Sequence, residues 1–323
     1  MKARRLSTLG ALIVGILLTA AAGLWLWLAQ HRTNDAIMVI YPGIAFTLML
    51  LLGGDNVLER GRKAVAGHPY LIVLAPLGLW GLYFLYASGI GVATAENAGL
   101  MALYLTAPFV ILGRGSSKWA EPVAILWLWL PLELGLIRRI LIAGAADDLH
   151  YALAQLLAID AGIIAFAIWN GTPNIGYRYE WNSSIGSTGL LSFLIFSAVA
   201  IPLGLQIGFI HYTFLPSKLL TAPALFAGIF FLTAIPEEFL FRGLVQNWLE
   251  RLTSSRILSL LFAAIVFGAA HLNNGPPVPN YKYFLMASIA GIIYGWAWQR
   301  TRSLVCSGLV HSLVDTLWSV FFR

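Results

Sequence analysis

Residues 224–251 read ALFAGIFFLTAIPEEFLFRGLVQNWLER, and this stretch decides the fold. It is long enough to cross the hydrocarbon core of a bilayer, which takes roughly 20 apolar residues. Yet two adjacent acids, Glu237 and Glu238, and one base, Arg242, sit inside the apolar run. Ionisable groups within a span are costly, so they mark a functional site by default. The rest of the chain has the same apolar character. Of its 323 residues, 59% are hydrophobic and 11% are charged, where a soluble domain carries about a quarter charged. The mean hydropathy is +0.80. A water-soluble fold cannot hide this much apolar surface, whereas a bilayer solvates it.

The sequence therefore predicts an all-α, polytopic transmembrane helical bundle of about ten or eleven spans. The candidates are 9–29, 36–53, 70–93, 98–112, 122–137, 152–169, 189–213, 220–251, 257–272, 283–299 and 304–322. Two of these, 98–112 and 122–137, are short enough to be tilted, half-spanning or re-entrant. Lys2, Arg4 and Arg5 precede the first span. Its apolar run from Leu9 to Ala29 exceeds the about 7–15 residues usual in a signal peptide, so an uncleaved anchor is expected.

Basic residues favour the cytoplasmic side. Lys2 to Arg5, then Arg60, Arg62 and Lys63, then Arg114 and Lys118 share that side, and Glu96 lies in an outer loop. Arg251, Arg256, Arg300 and Arg302 join them if there are eleven spans. Arg138 and Arg139 break the pattern, offset by Asp147 and Asp148. The longest polar stretch, Asn170 to Ser187, reads as a loop. We expect an N-terminal helical region over 1–220, with no recognisable motif, and a C-terminal core over 221–323.

The net charge of +6 does not point to nucleic acid, because no basic patch is interleaved with aromatics. The twelve Trp and twelve Tyr read as interface anchors and packing. A single cysteine, Cys306, rules out an internal disulfide and a multi-cysteine zinc site. Beside Ser307 and Gly308, it reads as small-residue packing. His31, His68, His150 and His211 fall near span ends or loops. Gly291 and Gly295, four apart, allow close helix contact. Glu133 pairs with a nearby arginine in the simplest reading.

The chemistry concentrates in three late helices. Glu238 and Arg242 are four apart, so they share a face and can pair. Glu237 points about 100° away and is left for another partner. The second group runs from Phe267 to His271. The third holds His311 and Asp315, again four apart. Each group was placed by helical rise from the basic residue that ends its helix. Glu237 then lies about 21 Å from Arg251, His271 about 22 Å from Arg256 and Asp315 about 20 Å from Arg302. His311 is shallower, at about 14 Å. Three helices thus bring polar groups to a similar depth. The bland alternatives are a structural ion network of Glu237, Glu238 and Arg242, a core-bonded His271, and a helix–helix hydrogen bond from His311 or Asp315.

Taken together, Glu237-Glu238-x-x-x-Arg242, Phe267-x-x-x-His271 and His311-x-x-x-Asp315 resemble the three ordered motifs of the CPBP family. That family contains the CAAX prenyl endopeptidases and bacterial Abi-type membrane proteins. The resemblance covers residues 223–322. It implies a glutamic intramembrane endopeptidase of a bacterial inner membrane that needs no metal and no cofactor. Its partners would be the bilayer and a membrane-bound or membrane-proximal peptide or protein substrate. It further implies that Glu237 is the general base that activates water, with His271 assisting. His311 and Asp315 would stabilise the oxyanion, and Glu238 and Arg242 would support the site. The family motif commonly ends in Asn. An ionised Asp cannot donate to an oxyanion, so Asp315 is either protonated or orients His311. A prenylated substrate does not follow from the family name. Two other readings remain. A zinc-dependent membrane protease could use His271, His311 and a Glu, and a non-enzymatic transporter or membrane scaffold could relay protons or bind a cation.

Overall fold

In a computed structural model the described residues are 4–30, 36–141, 148–214 and 216–323. Lys2, His31 and Asp147 of the sequence reading lie outside them, as do the side chains of Arg138, Arg139, Asp148 and His150. Every candidate span is helical. The helices are α1 (Thr8–Gln30), α2 (Ala36–Leu52), α3 (Val57–Gly67), α4 (Pro69–Gly89), α5 (Ala95–Leu112), α6 (Ala120–Glu133), α7 (Leu136–Leu141) and α8 (Ala152–Asn170). After a loop follow α9 (Ser183–Gln206), α10 (Ser217–Thr253), α11 (Arg256–Ala269), α12 (Tyr281–Thr301) and α13 (Leu304–Phe321).

The chain is an integral membrane protein built almost wholly of helix. Among the described residues, six helices are long and apolar enough to cross a membrane. A seventh counts if α2 and α3, bent by 88°, form one broken span. The difference from ten or eleven has local causes. Candidate 122–137 breaks at Gly135 into the shorter α6 and α7, and α11 has only 14 residues. Lys282, Gln299 and Arg300 lower the hydropathy of α12. One helix was not anticipated. The basic residues Arg60, Arg62 and Lys63, expected after the second span on the cytoplasmic side, lie on the short amphipathic α3.

Two compact units emerge, Arg5–Pro173 and Asn174–Arg323 together with the first residues. The division falls inside the polar stretch from Asn170. The core expected from residue 221 thus lies within a unit that also holds α9.

In the N-terminal unit, α1 and α2 pack through a reciprocal pattern. A Cβ on Gly15 would meet Thr47 Oγ1 at 2.3 Å, and one on Gly43 would meet Thr19 Cγ2 at 2.3 Å. Each threonine hydroxyl donates to the glycine carbonyl four residues earlier, at 2.7 Å. The helices can therefore approach closely without an unpaired hydroxyl, as expected where lipid supplies no hydrophobic drive. Helix α8 is the buried centre of this unit. Asn170 at its end accepts from the Ser116 backbone and hydroxyl at 3.1 Å. Glu133 accepts from Trp129 Nε1 at 3.1 Å, and the arginine side chains expected near it lie outside the described residues.

In the C-terminal unit, Asn182 caps α9 by accepting from the Ile185 backbone at 2.9 Å. The helix packs against α12 and α13. Buried Cys306 of α13 sits with its sulfur 3.6 Å from the Ile185 carbonyl, a packing position. Helices α11 and α12 form the closest pair. A Cβ on Gly291 would lie 2.8 Å from the Ala264 Cα, and one on Gly295 would lie 2.6 Å from Gln246 Oε1. The anticipated close contact at these glycines is therefore against α11 and α10.

Backbone cannot yield as a flexible side chain can, so Gly291→Ala should overpack this interface and cost about 1–3 kcal/mol. Gly228→Ala in α10 meets nothing within 4 Å and should be neutral or mildly stabilising, because Ala is the better helix former. Thermal unfolding in detergent of the two variants beside wild type checks both outcomes.

Candidate active site

Helix α10 runs through Pro236 without a break. Two wide, π-helical turns, Phe230–Ala234 and Phe239–Gln246, flank the short α-helical turn Ile235–Glu238. A proline removes one ladder donor and crowds the preceding turn. Widened turns accommodate such an interruption and are frequent at functional sites. Both acids of the first motif sit on that central turn.

The two acids have different environments. The side chains of Glu238 and Arg242 are both 0% exposed, and their ion pair spans 3.0 Å. The same oxygen, Glu238 Oε1, also faces His311 Nδ1 at 3.0 Å. One carboxylate therefore joins α10 to itself and to α13. Arg242 donates onward from Nη2 to the Gly291 carbonyl at 3.2 Å. One turn later, Gln246 Nε2 donates to the Gly295 carbonyl at 3.3 Å. The guanidinium lies over the rings of Phe267 and Tyr294, at 4.5 and 5.3 Å from their centroids. This arrangement suits a buried cation in a dry interior.

Glu237 faces a cavity of about 250 Å³. Its side chain is 32% exposed, and Oε2 has no hydrogen-bond partner. His271, His311 and Asp315 line the same cavity. His311 is 4% exposed and is held on all sides. Its Nε2 lies 3.4 Å from Asp315 Oδ2 and 3.9 Å from Glu237 Oε2. Tyr294 stacks on its ring at 4.8 Å, and Phe267 meets it edge-on at 5.9 Å. His271 follows the end of α11. Its Nδ1 is 2.8 Å from the Phe267 carbonyl, which fixes the ring between Phe267 and Tyr283.

The structure thus gathers all six of the expected site residues. Glu237, His271, His311 and Asp315 reach the cavity, while Glu238 and Arg242 sit behind it. Among the described side chains, His68 and His211 stay apart. His68 is exposed against Tyr70, and the backbone of His211 pairs with Arg323. Sequence reasoning missed four participants, Gln246, Asn274, Tyr283 and Tyr294. Tyr294 lies between the two glycines already singled out, so the position was on a recognised face. Asn274 and Tyr283 carried no spacing signal. Among the described residues, no three His, Cys, Asp or Glu side chains are arranged to hold a metal ion.

A comparison with protein families adds one match. Residues 219–317 match the family described as type II CAAX prenyl endopeptidase, Rce1-like. The matched segment contains all seven motif residues and leaves the N-terminal unit uncovered. No curated protein and no solved structure gives a significant match.

Removing Glu238 would leave Arg242 buried without its anion. Breaking one side of a buried pair costs about 3–5 kcal/mol. Glu238→Ala should therefore lower the thermal midpoint in detergent, whereas Glu237→Ala should leave it close to wild type.

Proposed function

We propose that this chain, whose residues 219–317 match the Rce1-like family of CAAX endopeptidases, hydrolyses a peptide bond of a membrane-associated substrate with a water activated by Glu237. The observation that carries this reading is the division of labour between neighbouring acids. Glu238 is fully buried and committed to Arg242 and His311, whereas Glu237 lines the cavity with its side chain 32% exposed and only His311 Nε2, at 3.9 Å, beside its Oε2.

In this mechanism Glu237 takes a proton from water. The water oxygen bonds to the carbonyl carbon, and the carbonyl electron pair moves onto oxygen. Collapse of the tetrahedral intermediate breaks the C–N bond. The proton held by Glu237, or passed through His271, goes to the leaving amine. The products are a carboxylic acid and an amine, with no acyl-enzyme. With Nδ1–H donated to the Phe267 carbonyl, neutral His271 keeps Nε2 as an acceptor for such a relay.

His311 is bracketed by Glu238 at Nδ1 and Asp315 at Nε2. Both neighbours are acceptors when ionised, so the ring is oriented to present N–H groups. Of the two alternatives for Asp315, this geometry favours orienting His311. An N–H of His311 then reaches a substrate carbonyl from the edge of the cavity only when Nε2 exchanges Asp315, at 3.4 Å, for the substrate oxygen. The same bracketing uses both ring nitrogens, which supports chemistry without a zinc ion. The bacterial inner membrane remains the proposed location, and CAAX-type specificity is not part of the proposal.

A cleavage assay on purified protein in detergent, with a library of membrane-tethered peptides, tests this. Wild type should cleave with or without a chelator. Glu237→Gln and His271→Ala should lose turnover, Glu237→Gln by at least about 10²-fold given the weight of general base catalysis. Loss of wild-type activity on chelation would move the reading to a zinc protease, and full activity in Glu237→Gln would sink it.

A further inference from the structure

The proposed reaction needs a donor at the developing oxyanion, and Asp315 is a poor one while it accepts from His311. The opposite wall of the cavity offers another. Tyr283, in the first turn of α12, lines the cavity together with Asn274. Its ring packs on His271 at 4.9 Å and on Trp318 at 5.5 Å. Glu237 and Asp315 line the same cavity.

This wall is rigidly built. The backbone N–H of His271 donates to Gly268 at 2.9 Å, and that of Asn274 donates to His271 at 3.1 Å. Asn280 closes the loop. Its backbone N–H donates to the Leu272 carbonyl at 2.7 Å, and its side-chain amide donates to the Asn274 carbonyl at 2.9 Å. The Asn280 side-chain oxygen then accepts from the Tyr283 backbone at 3.0 Å, capping α12. One asparagine therefore ties His271, Asn274 and Tyr283 into a single unit. Such fixed donors can stabilise transition-state charge without reorganising.

We propose that Tyr283 is a catalytic residue of this chain and that its phenol donates a hydrogen bond to the oxyanion of the tetrahedral intermediate. It would supply the neutral donor that an asparagine at position 315 would otherwise provide. No proton is transferred in this step. The phenol keeps its O–H, and the bond strengthens as charge builds on the carbonyl oxygen. Tyr294, the other tyrosine of the cavity, is 1% exposed and faces His311, which places it behind the site.

The inference rests on the peptidase reading, so the experiment separates the two. Wild type, Glu237→Gln, Tyr283→Phe, Asp315→Asn and Tyr283→Phe/Asp315→Asn are compared on the membrane-tethered peptide library, with thermal unfolding of each. Phe keeps the ring that packs on His271, so Tyr283→Phe should unfold like wild type. Its kcat should fall about 10²-fold or more, the usual effect of removing one oxyanion donor, with KM little changed. Adding Asp315→Asn to Tyr283→Phe should recover at least about tenfold of that loss, since Asn can donate where Asp cannot. Glu237-dependent cleavage with Tyr283→Phe at wild-type kcat, or no recovery in the double variant, overturns the role of Tyr283 and leaves the peptidase standing. Wild-type cleavage that ignores Glu237→Gln, or no cleavage by wild type, overturns the peptidase reading and the oxyanion proposal with it.

Discussion

The carboxylate of Glu238 is the point on which the C-terminal unit depends. It is fully buried, and its Oε1 serves both Arg242 and His311. A charge in such a place costs several kcal/mol of desolvation unless opposite charge and donors surround it. Arg242 meets that demand and in turn requires acceptors and aromatic faces of its own. These come from the Gly291 carbonyl and from Phe267 and Tyr294. One buried ion pair therefore recruits α11, α12 and α13 around α10. The glycines at 291 and 295 are needed because a side chain there would collide with Ala264, Leu260 or Gln246. Without that close approach, Arg242 and Gln246 could not reach the carbonyls.

The far ends of the same helices are tied by a second network. Glu250 near the end of α10 pairs with Arg302 just beyond α12, and Arg256 at the start of α11 lies 3.7 Å from the same carboxylate. Arg302 adopts a left-handed conformation at φ 51°, terminates α12 and lies over Trp298. Trp298 Nε1 donates to the Ile175 carbonyl, and the Leu304 backbone donates to Gly176. A Cβ at Gly176 would sit 2.8 Å from the Arg302 carbonyl, at a φ of +80° that favours glycine. Tying both ends limits how far the helices can shift against one another, and a site assembled from three of them needs that restraint. Catalytic geometry tolerates errors of only about half an ångström.

What the sequence displayed, and what it hid, follows from where each signal resides. The spans were visible because apolar length is written in the chain, and the convergence of three motifs was visible because α-helical rise is regular. Glu237, His271 and Asp315 were placed at similar depths by counting, and all three reach one cavity. Counting missed the wide turns around Pro236, because they depend on tertiary packing rather than composition. It also missed the partners of Arg242 and Gln246, since backbone carbonyls carry no residue identity. Asn274 and Tyr283 escaped for a related reason. They come together through the folding of the loop after His271, a closure set by Asn280 and not by any fixed spacing.

The two acids show how a single helical turn can serve both stability and chemistry. Adjacent side chains on a helix diverge by about 100°, so neighbours of identical chemistry enter different surroundings. Glu238 is directed into the helix interface, where pairing with Arg242 and His311 satisfies its charge before any substrate arrives. Glu237 is directed into the cavity, where its environment remains open to water and substrate. Because the supporting charges are already paired, the charge that develops on a bound carbonyl is the principal uncompensated one. In a site with a low dielectric constant, fixed donors then act on it more strongly than they would in bulk water. The buried pair behind the cavity and the partly exposed acid lining it are therefore two parts of one electrostatic design, and neither functions without the close helix packing that the glycines of α12 allow.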